Sequence, residues 1–355
     1  MKIIADENLA FTEYFFSDFG EISQHAGRTL SHQDVQDADV LLIRSVTQVD
    51  ADLINNSSLK FIGSATIGTD HLDQQAIEQQ HIAWSNAAGC NAQAVAEYVI
   101  SALLHLKPDL LDLEQQFTLG IVGLGNVGSR LATMAMLLGW KVIAYDPFVQ
   151  SSDVVQVSFT ELLKTADAIS IHVPLTQTGR FPTYHLFNTD TFAQMPAQTM
   201  LINSARGAVV EEMALMADID QTQRQVVLDV FEHEPEISLD LLNRLSLATP
   251  HIAGYSLEGK ARGTQMIYEA FCRVFSYTAD KQFTRQLPLC EPYFQHSDLK
   301  QSLKQYLSEI YDIARDDQQL RACVKDGKVD AKAFDYLRKT YPLRREWAAY
   351  GGPQA

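Results

Sequence analysis

The sequence predicts an α/β fold with two doubly wound parallel-sheet domains, the first of them discontinuous, and a small C-terminal α+β domain. Short apolar runs alternate with helical patterns along most of the chain, which is typical of parallel strands covered by helices on both faces. One stretch, 118–146, has the pattern of a complete β-turn-α-β unit with a glycine-rich turn. The chain has 355 residues, of which 46% are hydrophobic, so it is long enough for two or three cores.

The glycines of this unit have the spacing of a dinucleotide-binding, Rossmann-like turn. An apolar strand at 119–122 leads into Gly123, Gly125 and Gly128, and a helix from 127 to 138 follows. The first glycine permits a tight turn, the second lets the backbone approach a pyrophosphate, and the third lets the helix pack closely on the strand. The helix N-terminus then faces the phosphates. A glycine-rich turn without a ligand is the alternative, but the strand, turn, helix and a following acid fit together.

That acid, Asp146, favours NAD over NADP as the cofactor. It lies 18 residues beyond Gly128, at the end of a second strand, where a carboxylate can accept hydrogen bonds from both ribose hydroxyls. The carboxylate would repel a 2′-phosphate, and residues 147–149 contain no arginine to receive one.

The overall charge and the cysteines exclude several classes of protein. A net charge of −16 argues against nucleic acid or an anionic membrane as the main partner, and any site for an anionic substrate must be locally basic. The four cysteines lack the spacing of a zinc site, so we expect no metal, and reduced thiols suit a cytoplasmic location. The N-terminus lacks a signal-peptide pattern, and no apolar run is long enough to span a membrane.

The order of strands and helices predicts three domains. Strand patterns at 2–5, 39–43 and 59–64 each run into turns, and the last two end in polar or basic residues, at the sheet edge where ligands bind. For any one of these residues, ordinary turn polarity is an equal alternative. The predicted boundaries are a substrate-binding lid domain at 1–107 and 256–280, a NAD-binding domain at 108–255, and a C-terminal domain at 281–355.

The C-terminal domain is too short and too polar for an independent core. Such a segment usually packs on a partner, so we predict an arm that forms a homodimer. A solvated appendage is the alternative.

Three further residues are candidates for chemistry because each follows a predicted strand of the NAD-binding domain. They are Arg206, Glu234 and His251, and they therefore share the sheet edge at which a nicotinamide would lie. A single histidine after a strand is more often a hydrogen-bonded turn residue than a catalyst, but three such residues together favour a catalytic site.

With these motifs, the chain resembles the D-isomer-specific 2-hydroxyacid dehydrogenases over about residues 35–280. The matching stretches are the glycine turn with 145–147, then 203–207, 229–235 and 250–254. The resemblance implies that His251 takes the proton of the substrate 2-hydroxyl as hydride leaves C2 for the nicotinamide. It also implies that Glu234 holds the other ring nitrogen and that Arg206 clamps the substrate carboxylate. The implied cofactor contacts, beyond the glycines and Asp146, are Asn126, Val127, Val173, Ser204, Ala205, Arg206, Asp229 and Gly254.

Four segments narrow the resemblance to those members that oxidise 4-phospho-D-erythronate to its 2-oxo acid, a step toward pyridoxal phosphate, and that dimerise through a C-terminal arm. These segments are 44–47, 86–91, 251–263 and 344–347. The resemblance implies substrate contacts from Ser45, Thr66 and Tyr255. The substrate phosphate needs a basic pocket, for which Arg44 is the first candidate, and the others are Lys260, Arg262, Arg344 and Arg345. For Lys260 and Arg262, a solvated helix face is an equal alternative.

The chain departs from the family pattern at two positions. Ala88 stands where proline is common, and Val173 stands where threonine is frequent, although the backbone at 173 can still bond the cofactor. Two other functions are open: a related dehydrogenase acting on 3-phosphoglycerate, glycerate or a branched 2-oxo acid, and an NAD-sensing corepressor that binds peptides. A formate dehydrogenase is disfavoured because those enzymes pair their histidine with glutamine, where this chain has Glu234.

Overall fold

The chain divides into two compact units, each built around one parallel sheet. The structure, a computed structural model, describes residues 1–113, 116–294 and 298–353. The first unit comprises Met1–Asn91 with Ser256–Leu289, and the second comprises Ala92–Tyr255 with Cys290–Ala355. The predicted α/β class with two parallel sheets is confirmed.

The strands, numbered β1 to β14 in chain order, are Lys2–Asp6, Glu21–His25, Val40–Ile43, Phe61–Ser64, Ala83–Asn86, Thr118–Val122, Lys141–Tyr145, Val155–Gln156, Ala168–Ile171, Met200–Asn203, Val226–Leu228, Leu247–Ala248, Val324–Lys325 and Lys328–Val329. The helices, numbered α1 to α15, are Thr12–Phe16, His32–Val35, Ala51–Ile54, Gln74–Gln79, Ala92–Leu106, Leu110–Leu113, Asn126–Leu137, Phe159–Thr165, Thr189–Phe192, Glu212–Thr222, Leu239–Arg244, Leu257–Phe275, Leu299–Ile310, Ile313–Arg321 and Ala331–Lys339.

The five-stranded sheet of the first unit has the order β2-β1-β3-β4-β5, and all of its strands are parallel. The strand order reverses between the neighbouring strands β1 and β3. In an open parallel sheet, ligands bind at the carboxyl ends of the strands where the order reverses. Asp6, which ends β1, and Arg44, which follows β3, therefore lie where a ligand of this unit is expected.

The seven-stranded sheet of the second unit has the order β12-β11-β10-β9-β6-β7-β8 and is also parallel throughout. From β6 the chain proceeds outward through β7 and β8, and it then crosses to β9 on the other side. The reversal point therefore lies between β6 and β9. The glycine turn directly follows β6, so the sheet topology brings it to the expected ligand-binding edge.

Alternating side chains of the second sheet enter two apolar clusters. In β6, Leu119 and Ile121 belong to one cluster and Val122 to the other, as the period of two in a strand requires. Helix α5 packs closely against α7 and contributes to the first cluster. By these contacts α5 belongs to the second unit, whereas the sequence analysis assigned it to the first domain.

The C-terminal segment has no separate core and is buried in the two clusters of the second unit. Leu303 and Trp347 pack in the first cluster, and Leu320 and Phe334 pack in the second. Trp347 is only 1% exposed. The alternative of a solvated appendage is therefore wrong, because the few apolar residues of this segment are inserted into the neighbouring core.

A buried polar cluster fastens this segment to α5. The Oε1 atom of Glu97 accepts hydrogen bonds from the Trp347 amide, at 3.0 Å, and from the Gln93 side chain, at 2.7 Å. Glu346 is 1% exposed and lies close to Glu97. Burial and the neighbouring Glu346 charge raise the pKa of Glu97 well above its ordinary value, which favours the neutral form of this carboxyl.

Candidate active site

An added Cβ atom would meet open space at one glycine of the turn and closely placed atoms at the other two. Gly123 has φ +97°, a backbone conformation that favours glycine. A side chain on Gly128 would overlap the Gly123 carbonyl, so α7 can approach β6 only with glycine at this position. At Gly125, by contrast, a Cβ atom would meet nothing within 4 Å. The turn therefore presents bare backbone at Gly125, just before Asn126 and Val127 begin α7.

The carboxylate of Asp146 faces this turn. Its Oδ2 atom accepts a 2.8 Å hydrogen bond from the Leu124 amide, which lies between the first two glycines. Its Oδ1 atom accepts from the amides of Phe148 and Val149, at 2.8 and 3.0 Å. These bonds fix the acid beside the turn, where a carboxylate can also receive ribose hydroxyls. The open backbone, the helix N-terminus and this acid fit a dinucleotide such as NAD.

Three other predicted cofactor contacts border the same edge. A Cβ at Gly123 would touch the Val173 side chain, so Val173 is adjacent to the turn. The hydroxyl of Ser204 is buried and has no hydrogen-bond partner within the described ranges. The Ala205 amide is held by Asn203, whose Oδ1 atom accepts it at 3.0 Å.

The loop that carries Arg206 is shaped by Asn203 and Gly207. The Asn203 side chain, which is fully buried at the end of β10, also donates to the Arg206 carbonyl at 2.9 Å. A side chain at Gly207 would overlap the backbone of Phe231 and Glu232. The Arg206 loop is therefore in direct contact with the segment that leads to Glu234. Arg206 is partly exposed, and its Nη1 atom donates to the Ala205 carbonyl at 2.8 Å.

His251 and Glu234 form a hydrogen-bonded pair. The Nδ1 atom of His251 lies 2.9 Å from Oε2 of Glu234, and the other carboxylate oxygen of Glu234 accepts the Phe231 amide at 2.8 Å. Burial raises the pKa of Glu234, but the His251 charge, these hydrogen bonds and Arg338 outweigh burial and leave the pKa below its ordinary value. Glu234 is therefore an ionised acceptor, and it orients Nδ1 of His251 as a donor, which leaves Nε2 for a substrate.

The Asp229 carboxylate holds the loop that carries His251 through several hydrogen bonds. The Asp229 carboxylate is 1% exposed and accepts from the Thr249 hydroxyl and from the amides of Ile252 and Ala253, at 2.6, 2.8 and 2.9 Å. Burial raises the pKa of Asp229 to about 6 despite these donors and the nearby His251 charge. His251 itself has φ +57°, so its side chain is presented by a left-handed backbone turn that Asp229 holds. Gly254 directly follows this turn.

In the first unit, the predicted substrate residues Arg44, Ser45 and Thr66 follow β3 and β4. The Nε atom of Arg44 pairs with the buried Asp6 carboxylate at 3.0 Å, which fixes the base of its guanidinium. Ser45 is exposed. The hydroxyl of Thr66 bonds Ser64 at 2.9 Å, and Ser64 in turn bonds His71 at 2.9 Å.

The remaining basic candidates are already engaged with the chain. Arg344 is 9% exposed, and its guanidinium donates to the carbonyls of Ile252, at 3.0 Å, and of Ala253 and Ala94. Arg345 donates to the Cys290 sulfur at 2.8 Å. Arg262 donates to the Cys90 carbonyl and lies 5.4 Å from the centre of the Phe283 ring. Lys260 lies in the first turns of α12 and is partly buried.

The structure gives one predicted residue, Arg344, a different role and adds a residue that the sequence did not indicate, Arg338. The sequence indicated Arg344 only as a candidate phosphate ligand, yet its bonds to Ile252 and Ala253 secure the loop immediately after His251. Arg338, on α15, shares a hydrogen bond with Tyr255 and lies close to Glu234. Neither position has a spacing signal, because both contacts join residues that are far apart in the chain.

Two classes of feature are missing from the described ranges. No three His, Cys, Asp or Glu side chains there come together as possible metal ligands. None of the helices given above has the length and apolar character that crossing a membrane requires.

Comparison with known proteins identifies relatives of each part of the chain. Residues 106–253 match the model of the D-isomer specific 2-hydroxyacid dehydrogenase, NAD binding domain, and residues 292–351 match a domain of unknown function, DUF3410. The chain is 69% identical over 355 residues to an erythronate-4-phosphate dehydrogenase from Acinetobacter baumannii, and the match covers 100% of both chains. A protein of the same name from Psychrobacter arcticus is 46% identical, and the match covers 98% of this chain and 99% of that protein.

A solved structure shares the fold. It is a D-lactate dehydrogenase from Aquifex aeolicus, complexed with NAD and lactic acid, with a TM-score of 0.64 and 24% identity. The match covers 78% of this chain and 96% of that chain. The second unit therefore contains an NAD-binding domain, as the glycine turn and Asp146 predicted.

Proposed function

Because the chain belongs to the D-isomer-specific 2-hydroxyacid dehydrogenases, and within them to the erythronate-4-phosphate dehydrogenases, we propose that it oxidises 4-phospho-D-erythronate with NAD. The product is (R)-3-hydroxy-2-oxo-4-phosphooxybutanoate, on the route to pyridoxine 5′-phosphate. The observation that carries this proposal is the hydrogen-bonded pair of His251 and Glu234, which lies on the edge of the NAD-binding sheet where Arg206 also emerges. The chain matches its erythronate-4-phosphate dehydrogenase relative over the full length of both.

In this proposal His251 is the general base. Its Nδ1 atom is occupied by Glu234, so Nε2 accepts the proton of the substrate 2-hydroxyl. Ionised Glu234 then stabilises the imidazolium that forms, and Asp229 keeps the loop in place while the charge changes. In the reverse direction the same imidazolium returns the proton to the carbonyl oxygen.

Arg206 binds the substrate carboxylate in this proposal. Its guanidinium is partly exposed, and its loop adjoins the segment that carries Glu234. The planar fork of arginine can donate two parallel hydrogen bonds to a carboxylate, and it can also polarise the neighbouring C2–O bond.

The cofactor is held by the turn and by the residues around it. The bare backbone at Gly125, with the first amides of α7, receives the pyrophosphate, and Asp146 receives the adenosine ribose. Val173, Ser204, Ala205 and Gly254 border the nicotinamide, whereas the buried Asp229 contributes through the His251 loop. When bound, NAD supplies the hydride acceptor.

Two glycines of the turn provide a test of this assignment. Gly125→Ala is expected to raise the Kd of NAD by roughly 10-fold or more without lowering the Tm, because the added methyl group meets open space in the free protein but the cofactor when it binds. Gly128→Ala, the matched control, is expected to lower the Tm, because its methyl group overlaps the Gly123 carbonyl. Calorimetric NAD titration and thermal unfolding measure both effects. Unchanged NAD affinity in Gly125→Ala would contradict the assignment.

The substrate contacts proposed for Ser45, Thr66 and Tyr255 remain, with Arg44 as the first phosphate ligand. Arg44 lies at the reversal point of the first sheet, and Asp6 orients it. Lys260 and Arg262 are weaker candidates. Arg344 and Arg345 are weaker still, because their guanidinium groups are bonded within the second unit, Arg344 to the Ile252 carbonyl and Arg345 to the Cys290 sulfur.

A homodimer through the C-terminal segment and a cytoplasmic location also belong to the proposal. The Tyr336 side chain on α15 is 65% exposed and provides apolar surface for a second copy. The four cysteines form no disulfide with one another, which suits a reducing compartment. Analytical ultracentrifugation would test the dimer, and a sedimentation coefficient of the monomer at micromolar concentration would contradict it.

The function is tested by absorbance at the NADH band with purified protein and NAD. Equal concentrations of 4-phospho-D-erythronate, 3-phosphoglycerate and glycerate are compared. Preference for the first compound supports the proposal. Preference for either of the others would assign the chain to a related dehydrogenase reaction, and no reduction of NAD with any of them would favour a non-enzymatic, peptide-binding role.

A further inference from the structure

Arg338 is anchored in the second unit next to residues of the proposed active site. It lies on α15, and its guanidinium carbon is 5.7 Å from the centre of the Phe334 ring one helical turn earlier. Phe334 is fully buried in the second apolar cluster, so it holds the stem of Arg338 in place. The guanidinium shares a hydrogen bond with Tyr255, which lies four residues beyond His251.

One N–H group of this guanidinium has no hydrogen-bond acceptor among the described residues. The Nε atom of Arg338 is buried and has no acceptor among the residues that the structure describes. A buried N–H group without an acceptor is unfavourable, and more so when it is charged. The side chain as a whole is nevertheless partly exposed. Arg344, in the same segment, differs because three backbone carbonyls accept from it.

The Tyr255 side chain packs against a second tyrosine, which positions it. Its ring meets the ring of Tyr341 edge-on, with 5.9 Å between the ring centres. The hydroxyl of Tyr341 donates to the buried Asp316 carboxylate at 2.8 Å. The Arg338–Tyr255 pair is therefore a preformed set of N–H and O–H donors with a fixed positive charge.

The partly exposed cation of Arg338, beside the Tyr255 hydroxyl, favours an anion as ligand. The proposed substrate carries two anionic groups, a carboxylate and a phosphate. The carboxylate is attached to the reacting carbon and is assigned to Arg206. The phosphate lies two carbons further along, so it must bind within a few bond lengths of the site that His251 serves. A planar guanidinium and a hydroxyl match the several acceptor oxygens of a phosphate dianion.

We propose that Arg338 and the Tyr255 hydroxyl, rather than Arg44, the first candidate from the sequence, form the binding site for the phosphate group of the substrate. This inference rests on the proposed function. It assigns to the C-terminal segment a direct part in substrate selection, in addition to any part in assembly.

The test compares Arg338→Met with Lys339→Met, an exposed neighbour on the same helix that controls for the loss of one positive charge. In Arg338→Met, kcat/KM for 4-phospho-D-erythronate is expected to fall about 10- to 100-fold, mainly through KM. For D-erythronate, which lacks the phosphate, the loss in kcat/KM is expected to be several-fold smaller, because only the effect of Arg338 on the nearby Glu234 charge remains. Arg338→Lys is expected to recover part of the loss, and Lys339→Met to behave as the wild type.

Equal losses for the phosphorylated and unphosphorylated acids, or no loss for either, would overturn the phosphate assignment.

A second measurement, calorimetric titration with inorganic phosphate, does not depend on turnover. Phosphate binding to the wild type that is lost in Arg338→Met supports the site, and equal binding to both proteins overturns it. If the wild type binds phosphate in this way but does not oxidise 4-phospho-D-erythronate, the proposed function fails and the anion site stands. Thermal unfolding of each variant separates these outcomes from loss of the fold.

Discussion

Turnover of 4-phospho-D-erythronate is expected to fall by about 10²- to 10⁴-fold when His251 is replaced by alanine or asparagine, the range that a positioned general base contributes. Neither replacement can accept the hydroxyl proton. NAD affinity is expected to stay the same, because the pyrophosphate and ribose sites lie on the glycine turn and Asp146. Stopped-flow measurement of the NADH absorbance during a single turnover reports this chemical step directly.

Two replacements are needed because of the backbone at this position. His251 has φ +57°, and asparagine adopts the left-handed region more readily than alanine does. His251→Asn is therefore expected to be the more stable variant, while both have the same low turnover. Full turnover in either variant would contradict the assignment of His251 as the base. Glu234→Gln, which keeps the shape but not the charge, is expected to lower turnover less than the loss of His251.

The second large effect is expected at Arg206. Arg206→Ala should lower kcat/KM for the phosphorylated acid by about 10²- to 10³-fold, comparable to removing a donor that stabilises developing charge. Arg206→Lys keeps the charge but loses the planar fork, so it is expected to recover only part of the activity. Steady-state kinetics with NAD at saturation measures both.

The loop that carries residue 206 should keep its structure in these variants, so a change in kcat/KM reports the loss of the arginine side chain. The bonds that shape it run between the Asn203 side chain and the backbone of Ala205 and Arg206, and these bonds do not need the arginine side chain. Circular dichroism and Tm close to those of the wild type are therefore expected. If Arg206→Lys were as active as the wild type, bidentate binding of the carboxylate would be excluded.

Local patterns predicted the parts of the fold that depend on neighbouring residues. Helical patterns at 92–106, 159–165 and 239–244 predict helices, and α5, α8 and α11 have these bounds. The β6-turn-α7-β7 unit also has the expected order. The helical pattern at 208–219 predicts a helix, but the α-helix begins only at Glu212, after a short 3₁₀ helix at Gly207–Val209. The carbonyls of Ala208 and Val209 accept from the amides of His185 and Phe187, which are far away in the sequence, instead of from the next turn of an α-helix. The edge strand β2 was missed because it is short and partly exposed.

The C-terminal segment was the least predictable part, because its structure also depends on contacts with residues far away in the sequence. The helical pattern at 299–314 predicts one continuous helix. In the structure this helix ends at Ile310, Tyr311 is extended, and Asp312 caps the next helix by accepting from the Arg315 amide. Strand ends identified His251, Glu234 and Arg206, since parallel strands bring their carboxyl ends to one edge. No comparable rule relates residue 338 to residue 255, or residue 344 to residue 252, and these contacts emerge only from the folded chain.

The bonds from Arg344 to the carbonyls after His251 have a consequence for the time course of biosynthesis. They join residues about 90 positions apart in the sequence. Chains are made from the N-terminus, and domains begin to fold as they emerge. All seven strands of the NAD-binding sheet have been synthesised by Ala248, long before Arg344 is added. A nascent chain can thus acquire a folded nucleotide site while the histidine turn still lacks its support, so the ability to bind the cofactor should precede the ability to catalyse.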